Sequence, residues 1–304
     1  MPFGTIASAG ASQGGIGTAI ITATFQTNNT QNTVQYANGF WFGGGTIFVY
    51  KSDVKATWTT ASYAGTSSNN AKASYWNGYY FLPTGPSDGT WRYSTDLSVT
   101  PTNGTTLGGS RITSMCYFQS NYYLFEYNQG NMYYSSSISG TWTTGTIPID
   151  CLYAATDGTT MVIVGVGGRM RYTTNGTTWN TITSPFGANN IEFIMYDPES
   201  TYWVACGALG TAAYSADGIS SWTLITTGLS ALRNAAINKC NGRFIISQGT
   251  SSTARFSKSA SSLPSSAFTA QSAITITGGG ESVVLATDGN HVLTSLGTIS
   301  AYSR

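Results

Sequence analysis

The chain has 304 residues and a formal net charge of +1, and only 8% of its residues are charged, far fewer than the roughly 25% of a typical globular domain. Its Lys and Arg residues do not cluster, which argues against nucleic-acid binding because that binding depends on basic patches. Hydrophobic residues make up 41% and aromatic residues 13%, enough for a packed core and too much for a disordered chain. No apolar run approaches the roughly 18 to 20 residues that span a bilayer, so we expect no membrane insertion.

The first residues lack the basic and apolar segments of a secretory signal peptide, so we expect a protein that is not exported by that route. The four cysteines lie in apolar strand patterns, without CxxC spacing and without neighbouring histidines. This pattern favours buried thiols over disulfides or metal ligands. We predict neither a metal site nor a cofactor.

Taken in order, residues 1–17 are rich in Gly, Ser and Ala and have no periodicity, which is typical of a flexible or partner-docked arm. Residues 18–26 are rich in β-branched residues and are predicted to form a strand, although they precede the first repeat. We expect residues 18–304 to form a single domain.

A repeated pair organises the rest of the chain: an aromatic residue near the end of a strand, with a Ser or Thr beside it. Successive copies are 43, 41, 38, 42, 42 and 46 residues apart. The aromatic members are Tyr50, Tyr93, Tyr134, Tyr172, Tyr214, Phe256 and Tyr302. A fixed period in this range indicates a repeat architecture, in which each unit buries its apolar face against its neighbours.

Each repeat is predicted to contain four short strands. In the first, the strands begin near residues 33, 40, 47 and 58, and Asn38-Gly39 connects the first two. The same turn recurs at Asn77-Gly78, Ser120-Asn121, Asp157-Gly158, Asp197-Pro198, Asn241-Gly242 and Asp288-Gly289. Asn-Gly and Asp-Gly favour hairpins because both turn positions need positive φ. The sequence therefore predicts an all-β fold, a seven-bladed β-propeller of four-stranded antiparallel blades.

The last repeat ends after its third strand. The strand at residues 18–26 can supply the fourth by pairing near Ala301, which closes the ring and removes a free sheet edge. A six-bladed ring with spare ends is the alternative, and it leaves two strands unexplained.

The turn between the third and fourth strands resembles the Asp box of sialidase-like and BNR-repeat propellers, in which an acid caps turn amides and a Trp packs between sheets. Residues 214–222 carry one copy and residues 172–179 a second with Asn in place of Asp. The residues in these two copies are Ser215, Asp217, Gly218, Trp222, Thr173, Asn175, Gly176 and Trp179. The resemblance implies a fold and a structural role for the motif, rather than a catalytic one.

A sialidase reaction would need convergent arginines, a Tyr nucleophile and two carboxylates. Arg111, Arg169 and Arg233 are candidates for a carboxylate clamp, but no catalytic position of that family matches this sequence residue by residue. Glu126 has no assignable partner carboxylate, and the single His291 is interpreted as a turn residue. We therefore predict no enzymatic activity and no catalytic residues.

Ligands of propellers usually meet the face where each first strand begins. The residues at those positions are Lys72, Arg111, Asp150, Asn190, Arg233 and Glu281, although ordinary loop solvation explains them equally well. The second repeat has an enlarged loop at residues 83–90. Trp91 and Asp88 there could stack on and hydrogen-bond to a sugar; the alternative is that Trp91 belongs to the core.

In composition the chain is similar to bacteriophage virion proteins such as tail-fibre or receptor-binding modules. The first hypothesis is a non-enzymatic virion protein that is assembled in a host cytoplasm, attached by its arm to other virion proteins, and able to recognise a host surface glycan. The alternatives are a capsid or tail decoration protein, and a lectin or glycosidase of sialidase-like descent. Self-association into a homo-oligomer is left open.

Overall fold

The computed structural model describes residues 19–23, 33–44, 47–52, 59–64, 72–84, 88–127, 129–229, 233–240, 242–250, 253–270, 274–275, 284–287, 292–296 and 298–303. The predicted arm at residues 1–17, Glu281 and His291 lie outside these residues.

Within the described residues the strands form seven antiparallel sheets, numbered here from sheet one to sheet seven. Sheet one contains β2 (Thr33–Ala37), β3 (Phe40–Gly44), β4 (Ile47–Lys51) and β5 (Thr59–Ala64). Sheet two contains β6 (Ser74–Trp76), β7 (Tyr79–Pro83), β8 (Trp91–Ser94) and β9 (Thr102–Asn103). Sheet three contains β10 (Ile112–Phe118), β11 (Asn121–Glu126), β12 (Asn131–Ser135) and β13 (Thr143–Thr146).

Sheet four contains β14 (Cys151–Thr156), β15 (Met161–Gly165), β16 (Met170–Thr173) and β17 (Asn180–Ile182). Sheet five contains β18 (Ile191–Asp197), β19 (Tyr202–Gly207), β20 (Ala212–Ser215) and β21 (Thr223–Ile225). Sheet six contains β22 (Arg233–Cys240), β23 (Arg243–Thr250), β24 (Thr253–Ser259), β25 (Phe268–Ala270) and β26 (Ile274–Thr275). Sheet seven contains β27 (Val284–Thr287), β28 (Val292–Leu296), β29 (Thr298–Ser303) and β1 (Ala19–Ala23).

The prediction of an all-β chain is confirmed. The helical segments of the described residues are two single 3-10 turns, Val166–Gly168 and Ala208–Gly210. In this part of the chain no helix has the length and hydropathy that crossing a bilayer requires.

Two of the hairpin turns between first and second strands match their sequence signals at both positions. Asn38 and Gly39 have φ of 50° and 81°, and Asn77 and Gly78 have φ of 45° and 88°. Positive φ at both positions gives the backbone twist that matches two antiparallel strands. In sheet three the two positive-φ residues are Gln119 and Ser120, one residue earlier than predicted, because Asn121 already pairs with Phe118.

The hydrophobic core lies between neighbouring sheets, because the four main clusters of buried side chains each draw on adjacent sheets. The largest buried side chains include Trp41, Trp91 and Trp203, each about 1% exposed. Burying a large apolar side chain stabilises a fold by roughly 1.5 to 3 kcal/mol. The described core residues therefore tie each of sheets one to six to a neighbouring sheet.

The strand at the start of the chain pairs with the strand at its end. β1 is antiparallel to β29, with Ile21 opposite Ala301 and Ala19 opposite Ser303. The predicted pairing near Ala301 is therefore confirmed, and β1 is the fourth strand of sheet seven.

An irregularity in strand pairing recurs near the start of four first strands. It falls between Ile112 and Ser114 in β10, Cys151 and Tyr153 in β14, Ile191 and Phe193 in β18, and Arg233 and Ala236 in β22. Bulges redirect side chains. In sheet five the bulged residue is Glu192, a buried carboxylate.

Candidate functional site

A cavity lies where the first strands end. It has a volume of about 170 Å³, it is partly open to solvent, and it is lined by residues of β2, β6, β14, β18 and β22. These strands belong to five different sheets. This volume is below the roughly 300 to 1,000 Å³ of typical ligand pockets. The cavity is our candidate site because it brings aromatic and polar side chains of five sheets together.

Aromatic rings form much of its wall. Tyr153 and Phe193 are buried and stack on each other, with ring centroids 4.3 Å apart and an interplanar angle of 24°. Tyr36, Trp76 and Tyr196 are half-buried and line the same cavity. Burial raises the pKa of the Tyr153 hydroxyl above its ordinary value.

The polar side chains of the cavity differ in whether they have a hydrogen-bond partner within the protein. The Thr156 hydroxyl donates to the Thr160 carbonyl oxygen at 2.8 Å. The Asn238 side-chain oxygen accepts a hydrogen bond from the Lys239 amide at 2.9 Å. Nε2 of Gln35 is buried and has no hydrogen-bond partner within the described residues.

None of the described residues that line the cavity carries a formal charge. Charges lie just beyond it, in the turn after β18, where Lys239 Nζ is 2.7 Å from Asp197 Oδ2 and 2.9 Å from Glu199 Oε2. This ion pair joins sheets five and six and partly neutralises the carboxylates. The cavity is therefore suited to an uncharged ligand with ring faces and hydrogen-bonding groups.

The residues predicted to bind a ligand lie at the other end of the first strands. Lys72, Arg111, Asp150 and Asn190 each precede one of these strands closely, and Arg233 is the first residue of β22. The side chain of Arg233 is not among those described. None of these five residues is among the described residues that line the cavity, which lies toward the opposite end of the same strands.

Lys72 is only 3% exposed, so ordinary loop solvation does not explain it. Burial lowers the pKa of its ammonium group, and the Glu192 carboxylate partly opposes that shift. Burial likewise raises the pKa of Glu192, while Lys72 lowers it. The two groups form a buried electrostatic couple between sheets two and five, and sequence reasoning missed Glu192 because only the fold reveals its burial.

The other candidates at this end take part in local contacts. The Arg111 guanidinium lies 4.2 Å from the centroid of the Tyr127 ring. The Asn190 side-chain oxygen accepts a hydrogen bond from the Gly167 amide at 2.9 Å. The Asp150 backbone oxygen accepts one from Val166 at 3.1 Å.

The prediction that Trp91 stacks on a sugar is wrong, and its core alternative is correct. Trp91 is 1% exposed, and its Nε1 donates to the Thr105 carbonyl oxygen at 2.9 Å. Its ring meets that of Trp142 edge-on at 5.4 Å. Asp88 is exposed and accepts hydrogen bonds from the amide and hydroxyl of Thr90, so it caps a local turn.

The turn at residues 215–222 is a dense hydrogen-bond network. Asp217 Oδ1 accepts from the amides of Ile219 and Ser220 at 2.9 and 2.8 Å, and the Ser215 hydroxyl accepts from the Gly218 amide at 3.1 Å. Partial burial tends to raise the pKa of Asp217, but hydrogen bonds from Ser220, Ile219 and Ser215 outweigh it and lower the pKa to about 2. Trp222 packs against the core beside this turn.

A matching turn follows β16. Asn175 Oδ1 accepts from the amides of Thr177 and Thr178 at 3.0 and 2.8 Å, and the Thr173 hydroxyl accepts from Gly176 at 2.9 Å. Trp179 packs against a second core cluster. An acid or amide that caps turn amides is therefore present in both sheets, which gives the motif a structural role.

Glu126 is fully buried and also structural. Its Oε1 accepts from the amides of Gly109 and Ser110, at 3.0 and 2.7 Å. Its Oε2 accepts from Asn131 Nδ2 at 2.9 Å and from the Tyr133 hydroxyl at 2.7 Å. The carboxylate thus ties the loop before β10 to β12.

Three cysteines, Cys116, Cys151 and Cys206, are buried free thiols, as the sequence predicts. Burial raises the pKa of each thiol. They are therefore poor nucleophiles. The side chain of Cys240 is not among those described.

No protein-family model and no curated protein matches the chain. Solved structures do. YCF48 bound to D1 peptide matches with a TM-score of 0.66 and 12% identity, over 94% of this chain and 95% of that chain. A virginiamycin B lyase from Staphylococcus aureus with quinupristin has a TM-score of 0.74 and 7% identity, over 94% and 99% of the two chains. The WD40 β-propeller domain of Doa1 has a TM-score of 0.67 and 9% identity, over 94% and 98%.

The fold is a β-propeller. Its repeated four-stranded antiparallel sheets and these matches agree on that architecture. At 7 to 12% identity the matches show the fold alone. The matches therefore carry no information on function.

Proposed function

We propose that this propeller is a non-enzymatic recognition module that binds a neutral carbohydrate in the cavity at the ends of its first strands. We further propose that it belongs to a bacteriophage virion and recognises a host surface glycan. The observation that carries the binding proposal is the uncharged cavity walled by Tyr36, Trp76, Tyr153, Phe193 and Tyr196.

Carbohydrates suit such a wall for a physical reason. A pyranose presents C–H groups on its faces and hydroxyls at its edge, so aromatic rings can cover the faces while amides bind the hydroxyls. The cavity supplies both kinds of group, with the side chains of Gln35 and Asn238 among the rings. A sialoside would also need a cation for its carboxylate, and none of the described lining residues supplies one. A neutral sugar is therefore preferred.

The architecture we propose is a seven-bladed ring closed by β1. In support, the first strands contact one another in the order β6, β10, β14, β18, β22, β27 and β2. Sheets one and two are joined by the Tyr80 hydroxyl, which donates to the Ala37 carbonyl oxygen at 3.4 Å, and by the edge-on pair of Phe42 and Tyr80. A six-bladed ring would leave one four-stranded sheet without a place.

The capped turns at Asp217 and Asn175 support descent from Asp-box propellers, since their hydrogen bonds are those that the resemblance implies. The virion assignment rests on composition, with many small polar residues and only 8% charged residues. The arm at residues 1–17 is the proposed attachment to other virion proteins.

A glycan array probed with the full chain tests the binding proposal. We expect binding to neutral glycans that Tyr196→Ala abolishes and that Tyr202→Ala retains. Tyr202 is a matched control because it is also half-buried in sheet five but does not line the cavity. Near-ultraviolet circular dichroism of both variants verifies their folding.

Four outcomes would overturn the proposal. Binding that survives Tyr196→Ala places the sugar elsewhere. An array without binding, combined with particle assembly that depends on residues 1–17, indicates a decoration protein. Selective capture of peptides by the cavity would make the module a peptide reader, and turnover of a fluorogenic sialoside would make it an enzyme.

A further inference from the structure

At the end of the first strands that lies away from the cavity, the turns after β15 and β19 have the same construction. In sheet four the Gly165 amide donates a hydrogen bond to the Arg169 carbonyl oxygen at 3.0 Å. In sheet five the Gly207 amide donates to the Thr211 carbonyl oxygen at 2.9 Å. Each turn is therefore closed by a backbone hydrogen bond of its own.

Asn190 joins these two turns. Its backbone oxygen accepts a hydrogen bond from the Ala208 amide at 2.8 Å, and its side-chain oxygen accepts one from the Gly167 amide at 2.9 Å. Gly167 and Leu209 are the central residues of the two turns, so both belong to one continuous surface. We call it the corner surface, and it comprises Val166, Gly167, Arg169, Asn190 and Leu209.

Leu209 is the apolar part of the corner surface. Its side chain is 59% exposed, and its φ of 56° lies in the left-handed region, which is unfavourable for a residue with a bulky side chain. Gly167 occupies the same position in sheet four without that cost. A strained leucine that faces water stabilises the free protein little, and strained residues concentrate at binding sites. Burial by a partner would give this leucine a role.

Two arginines supply the charge beside it. Arg169 is exposed and Arg171 is half-buried, and their side chains leave the extended backbone on the same side because they are two residues apart. Burial lowers the pKa of Arg171, and the charge of Arg169 lowers it further. Within the part of the chain that the structure describes, neither guanidinium forms an ion pair with a carboxylate. Two like charges without a counter-charge attract an anionic group.

We propose that the corner surface binds a protein segment that presents an apolar side chain beside a carboxylate. The apolar side chain packs on Leu209, and the carboxylate lies against Arg169, whose planar guanidinium can donate two parallel hydrogen bonds to it. A purely acidic segment would leave Leu209 exposed, and a purely apolar one would leave the arginines without a counter-charge. This site is separate from the carbohydrate cavity, which lies toward the other end of the first strands.

A random heptapeptide library in mRNA display, selected on the full chain, tests this inference. We expect the enriched sequences to combine a Leu, Ile, Met or Phe with a neighbouring Asp or Glu. An enriched peptide is then titrated against variants by fluorescence anisotropy. Leu209→Ala should weaken binding about tenfold because it removes an apolar contact. Leu224→Ala is the matched control, since Leu224 is 51% exposed in the same sheet, and it should bind like wild type.

Three further variants separate charge, site and folding. Arg169→Gln should weaken binding and make it less sensitive to salt, whereas Arg243→Gln removes a charge from sheet six and should change neither. Tyr196→Ala should bind the peptide like wild type, because Tyr196 lines the cavity. Leu209→Gly should bind weakly although we expect it to unfold at a higher urea concentration than wild type, so its loss of binding is not a loss of folding.

Several results would overturn the inference. They are the absence of enrichment, the enrichment of basic or uncharged peptides, and binding that survives Leu209→Ala or is abolished by Tyr196→Ala. Sedimentation velocity of the free chain supplies the last check. Self-association that Leu209→Ala abolishes would assign the corner surface to a second copy of this chain and would overturn the proposal of a separate partner.

Discussion

Leu209 and Gly167 occupy the same corner of two consecutive sheets with nearly the same backbone angles, φ and ψ of 56° and 31° against 68° and 29°. Left-handed backbone suits Gly and costs a bulky residue about 1 to 2 kcal/mol. Leu209 is also 59% exposed, so little burial offsets that cost.

We therefore expect Leu209→Gly to stabilise the protein by roughly 0.5 to 1 kcal/mol, since relief of strain exceeds the entropy that Gly adds to the unfolded chain. Urea unfolding measures it. Leu209→Ala should give no comparable gain because Ala keeps the strained backbone, and Gly167→Ala should destabilise by about 1 kcal/mol. A Leu209→Gly variant no more stable than wild type would contradict the strain argument.

Asp217 should contribute a pH-dependent part of the stability. Its folded pKa of about 2 lies below the ordinary value of 3.8, so its contribution is complete above pH 3.8 and is lost as pH falls toward 2. We expect the urea midpoint of wild type to fall more steeply between pH 4 and pH 2 than that of Asp217→Asn. Identical pH dependence in the two proteins would refute this assignment.

The same substitution should preserve the turn, because Asn175 makes equivalent hydrogen bonds one sheet earlier. Asp217→Ala provides the contrast. Removal of the Asp217 carboxylate leaves the amides of Ile219 and Ser220 without their acceptor. The free energy of unfolding at pH 7 should fall by about 1 kcal/mol or more.

Glu126→Gln should destabilise the protein although the change is nearly isosteric. All four of the hydrogen-bond partners of this carboxylate act as donors, and each carboxylate oxygen accepts two of the bonds. In a Gln side chain one of these oxygens is replaced by an NH₂ group, which is itself a donor and would face at least one of those donors. We expect a loss of about 1 to 3 kcal/mol in urea unfolding. Tyr133→Phe removes one donor and should cost less; a Glu126→Gln protein as stable as wild type would show that the network is unimportant.

Deletion of residues 1–26 removes β1 and exposes the edge of β29. We expect a lower Tm, by about 2 to 4 °C for each kcal/mol lost, and more aggregation. Deletion of residues 1–17 alone is the control, because it keeps Ala19–Ala23. An unchanged cooperative transition after the longer deletion would argue against ring closure by β1.

Features that depend on neighbouring residues could be predicted from the sequence. Asn38-Gly39 and Asn77-Gly78 form the predicted turns because positive φ is a local requirement that these residues meet. The capped turn at Asp217 is equally local. The pairing of β1 with β29 was also predictable. The last repeat lacks a fourth strand, and the strand at the start of the chain belongs to no repeat, so the simplest arrangement pairs the two.

The cavity depended on the tertiary structure. Gln35, Tyr153 and Tyr196 lie more than forty residues apart from one to the next, and only the arrangement of five sheets brings them together. Aromatic residues at the ends of several first strands, such as Trp76 and Tyr196, were the signal that could have indicated it.

By itself the sequence determined the strand period, the turn chemistry and hence the class of fold, because these follow from residues within about forty positions of one another. Tertiary structure alone decided the environment of each polar or aromatic group. Trp91 became a core residue because Trp142, from the next sheet, packs against it, and Lys72 was buried beside Glu192 of sheet five. The burial and the electrostatic environment of a side chain depend on residues that are distant in the chain. Composition and local spacing therefore do not predict them.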